Sequence, residues 1–253
     1  MKKAIAIIPA RYASTRFPGK PLVKIGAKTM VELVYEQASK CVLVNDVVVA
    51  TDNERIKNAV LAFGGQVVMT SEACQSGTDR CAEVIFKYES NEDIIVNVQG
   101  DEPFIQPEQI QELILLMQNE SIQIGTLAKR ITEMEPVFNP NVVKVVRSLN
   151  GKALLFSRNP IPFVRGKEQK EWLRNAEFYK HIGLYAYKKA ILKDLSNLPV
   201  GKLEMAENLE QLRWLEAGYE IFVAETGYES IGIDTPEDLE KVIKLQQLLN
   251  QHS

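Results

Sequence analysis

The chain opens with an unbroken apolar run, Ala4 to Ile8, in which polar and apolar residues do not alternate. A strand with one wet face alternates with period two, so this run predicts a strand buried on both faces. It breaks at Pro9 into a loop punctuated by Pro and Gly. Thr29 then stands three residues before Glu32, the spacing of a capping box, and predicts a helix to about Lys40. The β-branched stretch Asp46 to Ala50 predicts a second strand. Asn53 to Phe63 reads as a helix stopped by Gly64-Gly65, and Gln66 to Met69 as a third strand. After Ser76-Gly77-Thr78-Asp79-Arg80 a helical pattern runs to about Tyr88, and Asp93 to Val98 is another buried strand. Alternation of this kind predicts parallel βαβ units, hence an α/β sheet covered by helices on both faces.

In the second half, Pro107 at a first helical turn opens a helix to about Asn119, followed by strands near Gln123 to Lys129 and Val142 to Arg147. Between them lies ITEMEPVFNPN (131–141), a loop that is either functional or connecting. From about Val142 to Tyr187 the rhythm changes. Short strands (Val142 to Val146, Ala153 to Phe156, Gly183 to Tyr187) are joined by turns and a charged, mobile loop from Arg165 to Arg174. Antiparallel pairing attached to the parallel sheet is expected there, as a lid or a dimer surface within a single domain spanning 1–253. Lys202 to Ala217 reads as one helix whose acids, Glu204 and Glu207 among them, mostly form a solvated face. Tyr219 to Ala224 is a strand. A last helix runs from Pro236 to about Leu249, with Asp234 or Thr235 as its cap.

Composition narrows the function classes. At 253 residues the chain fits one large domain, and its net charge of −3 gives no reason to expect a nucleic-acid partner. An anionic substrate therefore requires locally gathered cations. The three cysteines, Cys41, Cys74 and Cys81, lack the spacing of a zinc site and are odd in number, which argues against a disulfide framework. No apolar run approaches the ~20 residues of a membrane span, and the N-terminus reads as a strand rather than a signal peptide. A reducing cytoplasm is the expected compartment.

Three places carry candidate chemistry. The loop after the first strand holds Arg11, Arg16 and Lys20, cations delivered to the carboxyl end of a buried strand, where ligands of open α/β sheets collect. It is not a Walker A loop, since Pro21 follows Gly19-Lys20, and no G-x-G-x-x-G is present. Small residues at Ser76 to Arg80 let backbone amides approach a ligand; the same residues suit a plain helix cap. Two acidic turns, Gln99-Gly100-Asp101-Glu102-Pro103 and Ile231-Gly232-Ile233-Asp234, follow strand-like runs. A carboxylate just past a strand suits Mg²⁺, an ion usually held by one or two carboxylates plus substrate phosphates. Capping alone would also account for Asp234. Arg158 can grip a carboxylate in bidentate fashion. His181, on a strand, fits a satisfied structural histidine as well as a ligand contact.

The stretch IAIIPARYASTRFPGKPL (5–22) resembles the N-terminal signature of the sugar nucleotidyltransferases that activate acidic sugars with CTP. SGTDR (76–80), VNVQGDEPFI (96–105), SRNPIPF (157–163), HIGLYAY (181–187), LEQLRWLEAG (209–218) and GIDTPEDL (232–239) extend the likeness over nearly the whole chain. Within that group the chain resembles the 3-deoxy-manno-octulosonate (Kdo) cytidylyltransferase family. The resemblance implies a Rossmann-like, mainly parallel mixed sheet of the nucleotide-diphospho-sugar transferase type, with a smaller antiparallel lid or dimerisation part at about 142–187. It implies transfer of CMP from CTP to the anomeric hydroxyl of Kdo, releasing pyrophosphate, for lipopolysaccharide synthesis by a cytoplasmic homodimer. Arg11, Lys20, Asp101 and Asp234 are then catalytic, the two aspartates holding Mg²⁺. Pro9, Ala10, Arg11, Lys20, Ser76, Gly77, Thr78, Asp79, Arg80, Gln99 and Gly100 bind nucleotide; Arg80, Gln99, Arg158, His181, Tyr185, Glu210 and Gln211 bind the sugar acid. A sialic acid type enzyme shares the N-terminal loop, but the RNPIPF and HIGLYAY segments argue against it. A metal-dependent glycosyltransferase would consume a sugar nucleotide, and the cation-rich loop suits a triphosphate better. A non-catalytic nucleotide-binding regulator is the alternative from another class.

Overall fold

In the computed structural model, which describes residues 2–13, 17–229 and 232–241, the first strand is buried on both faces, as its unalternating sequence requires. The strands are β1 (Ala4–Pro9), β2 (Lys24–Ile25), β3 (Lys28–Thr29), β4 (Val44–Thr51), β5 (Gln66–Met69) and β6 (Ile94–Asn97). They continue with β7 (Ile124–Arg130), β8 (Lys144–Arg147), β9 (Ala153–Ser157), β10 (Tyr179–Lys188) and β11 (Ile221–Glu225). The helices are α1 (Met30–Ser39), α2 (Glu54–Ala62), α3 (Gly77–Lys87), α4 (Pro107–Leu116), α5 (Met134–Phe138), α6 (Trp172–Asn175), α7 (Lys189–Asn197), α8 (Lys202–Glu207) and α9 (Gln211–Glu216). Residues 236–241 are helical as well. The rest of that predicted last helix, to Leu249, lies outside the described residues. Among the described residues no helix is long and apolar enough to cross a membrane.

One sheet follows the order β11-β7-β10-β6-β1-β4-β5, with β8 pairing β10 and β9, while β2 and β3 form a separate small hairpin. β1 is parallel to β4 and β6, β4 to β5, and β7 to β11; β10 alone runs antiparallel to both β6 and β7. Alternate residues of β1 feed two cores. Ala4, Ala6 and Ile8 pack into the layer containing α1, α2 and α4, and Ile5 and Ile7 into the layer containing α3, α7 and α9. Each such isoleucine contributes about 1.5–3 kcal/mol by burial. After β5 the chain returns through α3 to the opposite side of β1, so β1 and β6 flank the point where strand order reverses. Crevices for ligands form at that point, outside the carboxyl ends of the strands.

The structure departs from the sequence reading in four places. The third short strand, expected over Gly183 to Tyr187, is the ten-residue β10 in the middle of the main sheet, because Ile182, Leu184 and Ala186 on one face and Tyr185 and Tyr187 on the other reach both cores. Residues 142–187 therefore divide between a β8–β9 hairpin and an integral strand. The 131–141 loop contains α5, whose Val137 is buried. The helix expected over Lys202 to Ala217 is broken at Asn208, which takes a left-handed conformation (φ 52°) between α8 and α9. Its acids are not a solvated face: Glu204 forks onto Arg213 through Nε and Nη2, and Glu207 accepts from Ser157 Oγ at 2.6 Å and Arg158 N at 2.9 Å.

The fourth departure is the charged segment from Arg165 to Arg174, which is pinned by one aromatic residue. Trp172 is buried, stacks on Phe178 at 5.9 Å between ring centroids, meets Phe163 edge-on at 5.3 Å and donates from Nε1 to Lys167 O at 3.2 Å. Trp172→Ala should lower unfolding free energy by about 3 kcal/mol in urea titrations. It should also make the segment the first site cut by a protease under native conditions, whereas wild-type resistance in the variant would show that the ring does not hold the segment.

Candidate active site

At the carboxyl end of β1 the chain turns at Pro9, and Ala10 N still donates to Ala50 O at 2.8 Å, which fixes the start of the cation-bearing loop. Gly19 adopts a left-handed φ of 71° and leads into the tight turn Lys20–Leu22, aiming Lys20 back at the sheet. From β6 the chain enters the turn at Gln99-Gly100-Asp101. Gly100 passes so close to β1 that a Cβ there would lie 2.6 Å from Pro9 O, so only glycine fits without moving backbone. The second acidic turn joins the first through Ile233 N, which donates to Asp101 O at 2.9 Å.

These loops bring two carboxylates to one ammonium. Lys20 Nζ lies 2.7 Å from Asp101 Oδ2 and 3.2 Å from Asp234 Oδ1, with the lysine side chain only 15% exposed. Burial to that degree leaves the pairing less screened than one on the open surface. Capping does not account for Asp234. The helix at 236 is capped by Thr235, whose Oγ1 accepts from Asp238 N at 3.2 Å, while Asp238 Oδ2 accepts from the amides of Asp234 and Thr235. Two carboxylates on one cation form a hard oxygen donor pair that fits Mg²⁺. Among the described residues no cluster of three or more His, Cys, Asp or Glu is placed to hold a metal. The remaining ligands of a divalent ion here would have to be substrate oxygens or water.

The cavity around this cluster has a volume of about 320 Å³ and is lined by Pro9, Ala10, Arg11, Lys20, Pro21, Cys74, Gln75, Ser76, Gly77, Arg80, Gln99, Gly100, Asp101, Glu210 and Asp234. It thus gathers the N-terminal loop, the start of α3, the turn after β6 and the elbow before α9. Gln99 is oriented by its Nε2, which donates to Gly183 O at 3.0 Å. Glu210 is brought in by the break at Asn208. Burial raises its pKa above the usual carboxylate value, opposed in part by hydrogen bonds to Ser76 and Thr78. Arg16 lies outside the described residues.

Other candidates stand elsewhere. Thr78 and Asp79 do not line the cavity: Thr78 is buried with Oγ1 3.3 Å from Tyr187 Oη and reaches the cavity only through Glu210, and Asp79 Oδ2 accepts from Gln75 N and Ser76 N in the capping box whose N-cap is Ser76. Arg80 reaches the cavity wall, but its guanidinium is held by Asp52 and by Thr70 Oγ1 at 2.7 Å. Arg158 does not line the cavity. Its guanidinium donates to three carbonyls, Glu207 O at 2.7 Å, Pro140 O at 3.0 Å and Asn208 O at 3.3 Å, and so fastens the α8–α9 elbow. Gln211 is buried and does not line the cavity. Cys74, Gln75 and Asp52 were missed in sequence: nothing in their residue types marks a site, and only the position of Asp52 just past β4 resembles that of Asp101 past β6.

His181 and Tyr185 sit behind the cavity wall, their rings 5.3 Å apart, with Phe156 edge-on to the histidine at 4.9 Å. Thr126 Oγ1 has one proton and lies 2.8 Å from Leu184 O, so it donates there and accepts from His181 Nε2 at 3.0 Å. Tyr185 Oη is buried and has no hydrogen-bond partner among the described residues. Although part of the His181 residue stays accessible, its ring is enclosed, and burial pushes its pKa down from 6.5 to about 3. Between those values the unfolded chain binds a proton that the folded chain does not, so stability falls as pH drops below 6.5. His181→Asn should remove that dependence: in urea titrations its deficit against the wild type should shrink between about pH 7.5 and about pH 5. An unchanged deficit would mean that the ring is protonated in the folded protein.

A cytidylyltransferase family model matches residues 5–231. A 3-deoxy-manno-octulosonate cytidylyltransferase of Parabacteroides distasonis is 55% identical over 247 residues, 96% of this chain and 98% of the relative. The protein of the same description in Cytophaga hutchinsonii is 53% identical over 94% of this chain and 95% of its own length. Among solved structures, a CMP:2-keto-3-deoxy-manno-octonic acid synthetase complexed with CTP superposes with a TM-score of 0.90 at 42% identity, covering 97% of this chain and 99% of the other. With this sheet order, this cavity at its reversal point and likeness along nearly the full length, the chain belongs to the cytidylyltransferase family, in the branch of the 3-deoxy-manno-octulosonate cytidylyltransferases.

Proposed function

We propose that this protein transfers CMP from CTP to the anomeric hydroxyl of Kdo, giving CMP-Kdo and pyrophosphate. The observation that carries the reading is the convergence of Asp101 and Asp234 on Lys20 inside a cavity rimmed by Arg11. The names of the 50–55% identical relatives and the CTP complex of the structural relative supply the substrates.

The hydroxyl oxygen forms a bond to the α-phosphorus while the bond from that phosphorus to the bridging oxygen breaks. Pyrophosphate leaves with the electron pair, and the hydroxyl proton passes to solvent. Such transfers are accelerated chiefly by positioning and by neutralising charge. Lys20 and Arg11 screen the triphosphate and the departing pyrophosphate. Asp101 and Asp234 would hold Mg²⁺, which when bound supplies further neutralisation and lowers the pKa of the attacking hydroxyl. The backbone at Ser76 and Gly77, where side chains are small, lets the nucleotide approach the start of α3. Glu210 accepts hydrogen bonds from sugar hydroxyls and Gln99 accepts or donates them, and the Tyr185 hydroxyl, without a hydrogen-bond partner among the described residues, is one further polar group for the sugar acid. Arg158 acts on the sugar by fixing the elbow that carries Glu210.

The reading includes a homodimer in a reducing cytoplasm, where all three free thiols persist, feeding lipopolysaccharide synthesis. Leu149, Leu154 and Leu155 on the β8–β9 hairpin, together with Phe163, are large exposed apolar residues of the kind a second copy would cover. Light scattering after size exclusion should return twice the chain mass, and Leu154→Lys should shift it to the single-chain mass. A wild-type protein of single-chain mass would remove the dimer.

A coupled pyrophosphate assay tests the activity itself. With CTP and Kdo, Asp101→Asn and Asp234→Asn should each lower kcat by about 10²–10³-fold at saturating Mg²⁺. Near wild-type turnover of either variant at limiting Mg²⁺ would end the metal role, and a wild type that binds CTP without releasing pyrophosphate with any acidic sugar would end the enzymatic reading.

A further inference from the structure

The wall of the cavity at Cys74 to Ser76 belongs to a loop without regular structure between β5 and α3, yet its backbone amides are tied down. Asp79 takes those of Gln75 and Ser76, as described above. One helical turn further along α3, Glu83 takes the amide of Ser71 with both carboxylate oxygens, at 3.0 and 2.9 Å. The same carboxylate accepts from Cys74 Sγ at 3.0 Å and from Lys87 Nζ. Ser71 in turn supports Ala73, whose amide donates to Ser71 Oγ at 3.1 Å. Glu83 and Asp79 are four residues apart, so they share one helix face and grip the loop at both ends.

We propose that Glu83 is a positioning residue for the nucleotide side of the cavity: it holds the 71–75 loop against α3 so that Cys74 and Gln75 form the cavity wall. The inference rests on the reading that this cavity takes CTP. Charge and burial agree with the geometry. Burial alone would raise the Glu83 pKa, but the bonds from Lys87, Cys74 and the Ser71 amide bring it down to about 2, so the group is an anion throughout the working range. Burial and the Glu83 carboxylate together push the Cys74 thiol up to about 12, against a smaller opposing pull from Arg80. Cys74 is therefore a neutral donor, and a reporter of whether the carboxylate is in place. Cys41 and Cys81 are buried, which leaves Cys74 as the accessible thiol.

The test is Glu83→Gln, read in two ways. In the pyrophosphate assay the KM for CTP should rise about tenfold while kcat and the KM for the sugar stay within about twofold, the pattern of lost binding rather than lost chemistry. Without any nucleotide, iodoacetamide labelling of Cys74, followed by mass spectrometry at mildly alkaline pH, should run about fivefold faster than in the wild type. Lys87→Met, which removes a cation from the same carboxylate and a bond to Met69 O at the end of β5 but no bond to residues 71–75, should leave KM for CTP unchanged. Should Glu83→Gln fail to fold, Cys74→Ala removes one loop contact while keeping the Ser71 bonds, and a rise in KM for CTP of about twofold or more is expected. An unaltered labelling rate together with an unaltered KM would overturn the assignment, as would kcat falling as far as kcat/KM. Labelling needs no substrate, so faster labelling in a protein inactive with CTP would separate a correct loop assignment from a wrong substrate.

Discussion

The architecture depends on a strand that has no wet face. β1 is hydrogen-bonded along both edges, to β4 and to β6, and covered above and below by helices. Its backbone groups are satisfied along the sheet, and its side chains contribute burial to both cores. The chain can become irregular only past its carboxyl end. The same holds for β6, and the two strand ends lie side by side because the chain reverses its winding between them. The centre of the site is mounted on what emerges there: Lys20 from one loop, Asp101 from the other, and Gly100 at the point where the backbones nearly touch.

How far sequence reaches follows from this. The apolar run, the Thr29 capping box, the Gly64-Gly65 stop and the Ser76 start were all legible because each is a local matter of sterics or hydrogen bonding, and each appears within a residue or two of its expected place. The helix break at Asn208 was not legible. The residues around it are good helix formers, and the break is held by contacts distant in sequence, Glu207 with Ser157 and Arg158 above all. β10 was underestimated for a related reason, since its first residues, Tyr179 to Ile182, become strand by pairing with β7 rather than by their own pattern.

The charged residues divide along the same line. Residue type marked Arg80 and Arg158 as anion-binding candidates, and type could not reveal that Asp52 and a set of backbone carbonyls already hold them. A guanidinium has five donors in a fixed plane, and a loop with several unpaired carbonyls meets that need as well as a carboxylate does. Lys144 shows the same economy, its fully buried ammonium bound to the carbonyls of Asn139, Val142 and Arg158. Besides Arg80, the cations that line the cavity among the described residues are Arg11 and Lys20, both on the loop after β1.

Asp234 meets Lys20 across a sequence separation of 214 residues, and β10 must be seated between β6 and β7 before the middle of the sheet is continuous. Vectorial synthesis gives these contacts a timetable. The β1-β4-β5 half can pair as it leaves the ribosome, whereas β6 keeps one open edge until β10 emerges. The acidic partner that completes the cluster arrives later still. A nascent chain therefore has Arg11 and Lys20 well before it has both of the carboxylates that meet Lys20, and it gains the complete cluster only after Asp234 has emerged.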